Sequence, residues 1–415
     1  MPQIQSLKTE NKFKKTEIGE IPVDWEVSKI DSIGVLGRGR VISQKEIANH
    51  PGNFPVFSSQ SKNQGIFGYL DTYDFEGEYV TWTTDGAYAG TVFYRNGRFS
   101  CTNVCGTIKA KDEHLVDMQF LSYSISTRTK RYVSYVGNPK LMNNAMAEVS
   151  FVRPPLDEQK KIAEILSAID HAIEKISEVI EKTKQLKKGL MRQLLTRGIG
   201  HKKFKKSIIG EVPSEWDIKQ LHKVAVIERG KFQHRPRNEP RFYGGKYPFV
   251  QTGDVTTSNG RIRTYSQTLN EEGLSISRLF PKGTVLITIA ANIGETAIAE
   301  FDVAFPDSLV GIIAKEEIDN RFLEYYLQTR KEHFNSIATQ SAQKNINLET
   351  LRPYPAPVPS KSEQIKIADI LSSVDGELER KASQKTSLEN LKKALMQVLL
   401  TGRIRVFVQE THSQT

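Results

Sequence analysis

Residues 13–30 read FKKTEIGEIPVDWEVSKI, and residues 204–221 read FKKSIIGEVPSEWDIKQL, about 190 residues further on. A second pair repeats at a similar distance. Residues 158–196 open EQKKIAEILSAID and close LKKGLMRQLLT; residues 363–401 open EQIKIADILSSVD and close LKKALMQVLLT. Between these constant blocks lie two segments of similar length whose sequences barely match. The period is too long for a solenoid unit, so it marks a duplicated domain followed by a helix. A constant frame with divergent inserts lets one scaffold present two different surfaces.

Each half follows one plan. A basic lead with an aromatic (Phe13-Lys14-Lys15; Phe204-Lys205-Lys206) runs into a Gly-Glu-x-Pro-x-x-Trp corner that ends at Trp25 or Trp216. A long stretch rich in Gly, Thr, Tyr, Val and Ile follows. Residues 284–289 read as a buried strand introduced by the turn Pro281-Lys282-Gly283, with residues 78–83 as the counterpart in the first half. Residues 90–94 and 308–313 read as further strands. Helical spacing of Leu115, Met118, Leu121 and Tyr123 predicts a helix over 114–131. Phe322, Leu323, Tyr326 and Leu327 predict one over 317–335. Each variable segment is therefore expected to be a mixed α/β globule. Trp25 and Trp216 read as anchors packing each globule onto the helices, and Trp82 as core.

The repeated helices carry three-four apolar stripes. The first runs through Ile162, Ile165, Ile169, Ala172, Ile176, Val179, Leu186 and Leu190, interrupted by Thr183. The second runs through Ile367, Leu371, Val374, Leu378, Ala382, Leu388, Leu391, Leu395 and Val398, interrupted by Lys385. Pro-rich leads mark the starts, with Ser360 and Glu363 at capping-box spacing. Thr196-Arg197-Gly198 and Thr401-Gly402 mark the ends. At 1.5 Å per residue each helix is roughly 55–60 Å long. So narrow a seam is not stable alone. The simplest partner is the other helix, antiparallel across a pseudo-twofold; packing on its own globule and homodimerisation are the alternatives.

A length of 415 residues fits two to three domains, and 38% hydrophobic with 26% charged residues describes a globular chain. No apolar run is long enough to cross a bilayer. The first twenty residues have no apolar core of a secretory signal, so a cytoplasmic location is expected. Cys101 and Cys105 are the only cysteines. They are too few for a zinc set, and reduced thiols are expected. The net charge of +10 is unevenly placed: residues 22–150 carry none and 213–357 carry +1, while the excess sits on the helical repeats and the HKKFKK connector. A solvated helix face and a phosphate-tracking surface both fit it.

The corners GEIPVDW and GEVPSEW, the helix starts EQKKIAEIL and EQIKIADIL, and the LLT ends together resemble the specificity subunit of type I restriction–modification systems. Residues 281–287 (PKGTVLI) and the stretch Gln343-Lys344-Asn345-Ile346-Asn347 belong to the same pattern, which spans essentially the whole chain. The first half departs from it at Asn138-Pro139-Lys140-Leu141-Met142-Asn143. The resemblance implies an α+β fold with two mixed α/β target-recognition domains, residues 1–153 and 201–355. Conserved helical regions at 154–200 and 356–415 would form an antiparallel intramolecular coiled coil with pseudo-twofold symmetry. It implies a non-catalytic chain in which each globule reads half of an asymmetric bipartite DNA site and the helix pair measures the spacer. Lengthening both helices by one turn would move the domains by ~5.4 Å, one or two base pairs at ~3.4 Å each. Expected partners are double-stranded DNA, two methyltransferase subunits and restriction subunits, with no membrane. No cofactor is expected on this chain; S-adenosylmethionine, Mg2+ and ATP belong to the partners.

Motif absences fit that reading. Gly37-Arg38-Gly39 lacks the remaining glycines of a cofactor loop, and Asn138-Pro139-Lys140 replaces the tetrad of an adenine methyltransferase. Pro306-Asp307 followed by Ile313-Ala314-Lys315 lacks a nuclease's second acid, and Gly244-Gly245-Lys246-Tyr247 is no P-loop. A homodimeric coiled-coil regulator and a self-contained modification enzyme remain the competing classes.

Base reading needs short donors and acceptors in a groove, with cations on phosphates to set register. In the first domain Ser58, Ser59, Gln60, Lys62, Asn63 and Gln64 form a dense polar loop, and Arg38, Arg40 and Lys45 a basic one. A solvated turn explains the polar loop equally well. In the second domain Arg229, Lys231, Gln233, His234, Arg235 and Arg237 combine cations with an amide, as a DNA-ordered loop would. Gln251, Thr252, Asp254, Gln343, Lys344 and Asn345 are further candidates by position.

Overall fold

The computed structural model describes residues 12–59, 62–234, 236, 238–290, 292–340 and 345–406. The chain divides into two compact units: residues 1–177 with 383–415, and residues 178–382. Each unit thus takes one globule and part of both long helices, Leu156–Arg197 and Lys361–Leu399.

Each globule is built on its own sheet, and the two have similar strand orders. In the first unit the order is Gly34–Arg38, Cys105–Ala110, Phe75–Thr83, Val92–Cys101, Phe54–Phe57 and Ile66–Leu70, antiparallel except where Phe54–Phe57 runs parallel to Val92–Cys101. In the second unit the order is Ala225–Arg229, Leu309–Ala314, Val285–Thr288, Thr296–Ala299 and Arg261–Ile262. The last pair is again parallel. The second unit adds a separate four-stranded sheet built on Tyr243–Phe249. The expected strands lie where the β-branched runs placed them, and Trp82 is core, its indole N–H donating to the Leu141 carbonyl at 2.8 Å. Cys101 and Cys105 are buried free thiols; burial pushes Cys105 up to about 11.

The helices expected over 114–131 and 317–335 are shorter and broken. Met118–Ser126 starts only where Asp117 accepts from the Phe120 N–H, and a short 3-10 turn, Thr129–Tyr132, follows it. Asn320–Gln328 starts at the Asp319 cap, and a separate helix, Lys331–Gln340, continues after Thr329. Local carboxylate caps override the apolar spacing at both starts.

What closes each globule is a returning strand. Ser150–Arg153 pairs antiparallel with Glu26–Lys29, and Pro355–Val358 with Asp217–Gln220. Each pairing brings the start of a long helix beside the Trp corner. There the Glu-Gln dipeptide makes the joint. The Trp25 indole donates to Glu158 at 3.0 Å and the Trp216 indole to Glu363 at 3.0 Å. Gln159 accepts from the Asp117 N–H and donates to the carbonyls of Leu115 and Pro154. Gln364 accepts from the Asp319 N–H and donates to those of Glu317 and Pro359. Both glutamines are fully buried, so each leaves no polar atom stranded. The expected capping box is only half made: the Glu363 N–H donates to Ser360, but the carboxylate serves Trp216 instead.

Each joint is completed by residues that follow the end of the other repeat's helix. In the first unit Arg405 lies over Trp25 and forks onto both Glu158 oxygens (2.7 Å) and both Asp24 oxygens (2.9 and 2.7 Å). Burial favours losing the Arg405 proton, but the hydrogen bonds to Glu158 and Asp24 outweigh it and hold the guanidinium above its usual range. In the second unit His201 takes that place, 2.9 Å from Glu363 and 3.5 Å from Glu215. Gly198 and Gly402 turn the chain there with φ of +63° and +68°. A Cβ would fall 2.4 Å from Glu363 or 2.3 Å from Pro22, so only glycine fits both turn and seat.

The long helices run antiparallel within each unit. In the first, Ile162 and Leu166 share a core with Leu399 and Leu400; in the second, Leu194 and Leu195 share one with Ile367 and Leu371. A polar triad fixes the register in each. Tyr123 donates to Asp170 (2.7 Å), which pairs with Lys392 (2.6 Å); Tyr325 donates to Asp375 (2.6 Å), which pairs with Lys187 (2.6 Å). The single-stripe expectation fails in detail. Ala163, Leu166, Leu194 and Leu195 are buried off the stripe, while Leu186 and Leu391, equivalent in the repeat, face outward. The burial direction turns because the helix ends serve the globules as well as each other.

Candidate nucleic-acid interface

One end of the first sheet gathers polar and cationic groups from four separate segments. Arg38 ends its strand, and its Nε donates to the Asn103 carbonyl in the turn between Val92–Cys101 and Cys105–Ala110. Its other arm reaches Asp85 at 3.2 Å and Thr84 at 3.3 Å. Lys140 stands 4.0 Å from the same Asp85. Arg229 repeats the contact in the second unit, its Nε donating to the Asp307 carbonyl. A glycine follows each arginine because the backbone of the neighbouring turn crosses there. A Cβ on Gly39 would lie 2.1 Å from the Cys101 carbonyl oxygen, and one on Gly230 2.3 Å from that of Pro306. The Arg-Gly dipeptide is thus a shared frame element at the same corner of both sheets.

The other candidates distribute as follows. Arg40 is spent within the domain, on Glu46 at 2.7 Å and Asp74 at 3.1 Å, which raise its pKa. Lys45 is exposed on the short helix Gln44–Asn49. Ser58 accepts from Thr102 at 2.9 Å, beside the turn that Arg38 grips, and Ser59 is half-buried next to it. Gln64 is exposed: its side-chain amide donates to Glu174 of the first long helix at 2.8 Å, and its backbone carbonyl accepts from Arg95. Gln60 lies outside the described residues, as do the side chains of Lys62 and Asn63.

In the second unit the Lys231 N–H donates to the Phe305 carbonyl, beside the turn held by Arg229. The Gln233 N–H donates to the Ile276 carbonyl, and the His234 ring packs on Phe242 at 4.7 Å. Gln251 pairs with Gln267 at 2.9 Å. Asp254 caps its helix by accepting from the Gln251 N–H, and it also accepts from Ser266; Thr252 opens the same helix. Asn345 is half-buried. Arg235, Arg237, Gln343 and Lys344 lie outside the described residues. Asp85, Asn103, Lys140 and Asp307 were not among the candidates. Their one sequence signal is the repeated Arg-Gly, which marks the corner but not what converges on it.

Among the described residues no group of His, Cys, Asp and Glu is arranged to hold a metal, and no helix is long and apolar enough to cross a membrane. One buried acid does stand out. Glu324 is fully buried beside a cavity of about 110 Å³ lined also by Asn259, Arg261, Tyr325 and Asp375. Burial raises it to about 7, against the pull of Arg261 and of donors from Thr296 and Gln328. Its folded pKa exceeds the unfolded value, so this carboxyl's contribution to folding is whole below about 4.5 and drains away as pH rises to about 7. Glu324→Gln should remove that slope and stabilise the second unit at pH 8 by on the order of 3 kcal/mol. Denaturant titrations at pH 5 and pH 8 check it; equal slopes in both proteins would refute it.

The duplicated frame carries two sheet ends that differ in their residues. The sequence model of the type I restriction modification DNA specificity domain matches twice, over residues 22–185 and 213–390. The chain belongs to that family. It is 31% identical to a putative type I specificity subunit of Mycoplasma pneumoniae over 83% of this chain and 87% of the relative. It is 31% identical to the type I restriction enzyme MjaVIII specificity subunit of Methanocaldococcus jannaschii, over 97% of this chain and 98% of that one. Among solved structures, the type I restriction–modification S subunit from M. genitalium superposes with a TM-score of 0.67 at 17% identity, over 95% and 98% of the two chains.

Proposed function

We propose that each unit reads one half of an asymmetric bipartite DNA site, that the helix pair sets the unread spacer, and that this chain leaves methylation and cleavage to partner subunits. The observation that carries the reading is the repeated joint of Trp, Glu-Gln and Tyr-Asp-Lys, which mounts each globule on the long helices in the same way. A constant mount with variable sheet ends is what two independent half-sites require. Binding of two copies of one methyltransferase is supported by two equivalent grooves along the helices. One, of about 760 Å³, is lined by Arg128, Lys393, Met396 and Leu400; the other, of about 680 Å³, by Arg330, Lys188, Met191 and Leu195. Basic rims over apolar floors suit an acidic amphipathic partner surface.

Expression with the modification subunits of its own genome, in a host without adenine methylation, tests the reading. Sequencing of modified bases should return one asymmetric motif in two parts. Replacing residues 34–141 with the matching segment of a relative should change one part alone. Methylation by the isolated chain, or a motif without a gap, would overturn it.

A further inference from the structure

Beside the Arg38–Asp85–Lys140 cluster the first unit raises a small hairpin. The N–H of Ser134 donates to the Lys140 carbonyl at 2.8 Å, the N–H of Lys140 returns the bond at 2.9 Å, and Gly137 turns the tip with φ +74°. Two further bonds tie its base to the sheet end: Gly86 N–H to the Pro139 carbonyl and Leu141 N–H to the Thr84 carbonyl. The tip itself is apolar. Val136 is 93% exposed and Tyr135 67%, and Tyr88, on the turn that the hairpin braces, is 50% exposed. Holding a β-branched residue and an aromatic in water on a fixed turn gains the fold nothing.

The surroundings say what covers them. Residues 22–150 carry no net charge, yet no acid stands between Asp117 and Glu148, while Lys130, Arg131 and Lys140 do, apart from Arg128 in the groove along the long helices. Lys130 donates to the Ala89 carbonyl on the braced turn. At the hairpin's foot Arg38 and Lys140 share the one carboxylate of Asp85. An apolar point flanked by excess cations matches a nucleic-acid duplex, whose phosphates flank stacked, apolar base faces. An acidic protein pocket would also take the point, but such a partner would leave every base step stacked.

We propose that Tyr135 and Val136 form a wedge that enters the DNA and unstacks one base step in the half-site read by the first unit. The inference rests on the recognition reading above. Insertion of apolar side chains between base pairs is a known means of sensing step flexibility. It would make this half-site sensitive to a step that no hydrogen bond reads.

The test uses the full chain with its modification subunits. A duplex is first selected from a random-sequence pool, and 2-aminopurine is then placed in turn at each step of the first half-site. Apart from the base that the modification subunits extrude for methylation, wild type should raise the fluorescence several-fold at one position. Tyr135→Ala with Val136→Ser should abolish that rise and weaken binding about tenfold, while reselection relaxes one half-site only. Tyr135→Phe should restore the signal; matching thermal melts show that the variants fold, as both side chains are solvent-facing. No rise outside the methylated base with wild type, or one there that the double variant keeps, overturns the wedge and leaves the recognition reading standing. Failure of wild type to select any duplex overturns both.

Discussion

Arg405→Ala should lower the stability of the first unit by about 3–5 kcal/mol and leave the second untouched. Arg405 is nearly buried and is the cation between Glu158 and Asp24. Its removal strands the Glu158 carboxylate, itself buried, with the Trp25 indole and the Val406 N–H as its remaining partners. Losing one member of a buried, hydrogen-bonded pair costs that much because the other must stay charged without compensation or take up a proton. The three tryptophans make the effect separable: Trp25 and Trp82 report the first unit and Trp216 the second. Trp216→Phe isolates the first transition in denaturant. A shift below 1 kcal/mol would refute the role of this seat, and one equal in both units would show that they unfold together.

Lengthening both long helices by one turn should redirect recognition without harming either sheet end. The rise is ~5.4 Å, so selected sites should gain one or two base pairs in the gap, at ~3.4 Å each. On the originally spaced duplex only one unit engages at a time, and affinity should fall by about 10³-fold or more, towards non-specific binding. Selection from a randomised-gap library reads both outcomes. Sites that keep their original gap would remove the helices from spacer measurement.

The frame was legible in the sequence because its parts are duplicated. Trp25 and Trp216, Glu158 and Glu363, and the helix starts at Leu156 and Lys361 coincide in pattern and in role. The tyrosine–aspartate–lysine triads were hidden, since each joins a globule helix to two long helices far apart in the chain. Helix limits at Asp117 and Asp319 were missed because a single cap outweighs several apolar residues at the proper spacing. Leu186 and Leu391 were read as seam because periodicity gives a face but not its neighbour. At the sheet end Arg38 was legible as a cation. Asp85, Asn103 and Lys140 were not, because only the strand order brings residues 38, 85, 103 and 140 to one corner.

The seat of Arg405 also bears on how the polypeptide matures. Residues 178–382 are continuous, so the second unit holds all its pieces before synthesis ends. The first unit needs residues 383–406 to cover Ile162, Ala163 and Leu166 and to neutralise Glu158. The half translated first is therefore finished last. Until residues 383–406 have emerged, the apolar strip of Ile162, Ala163 and Leu166 waits bare.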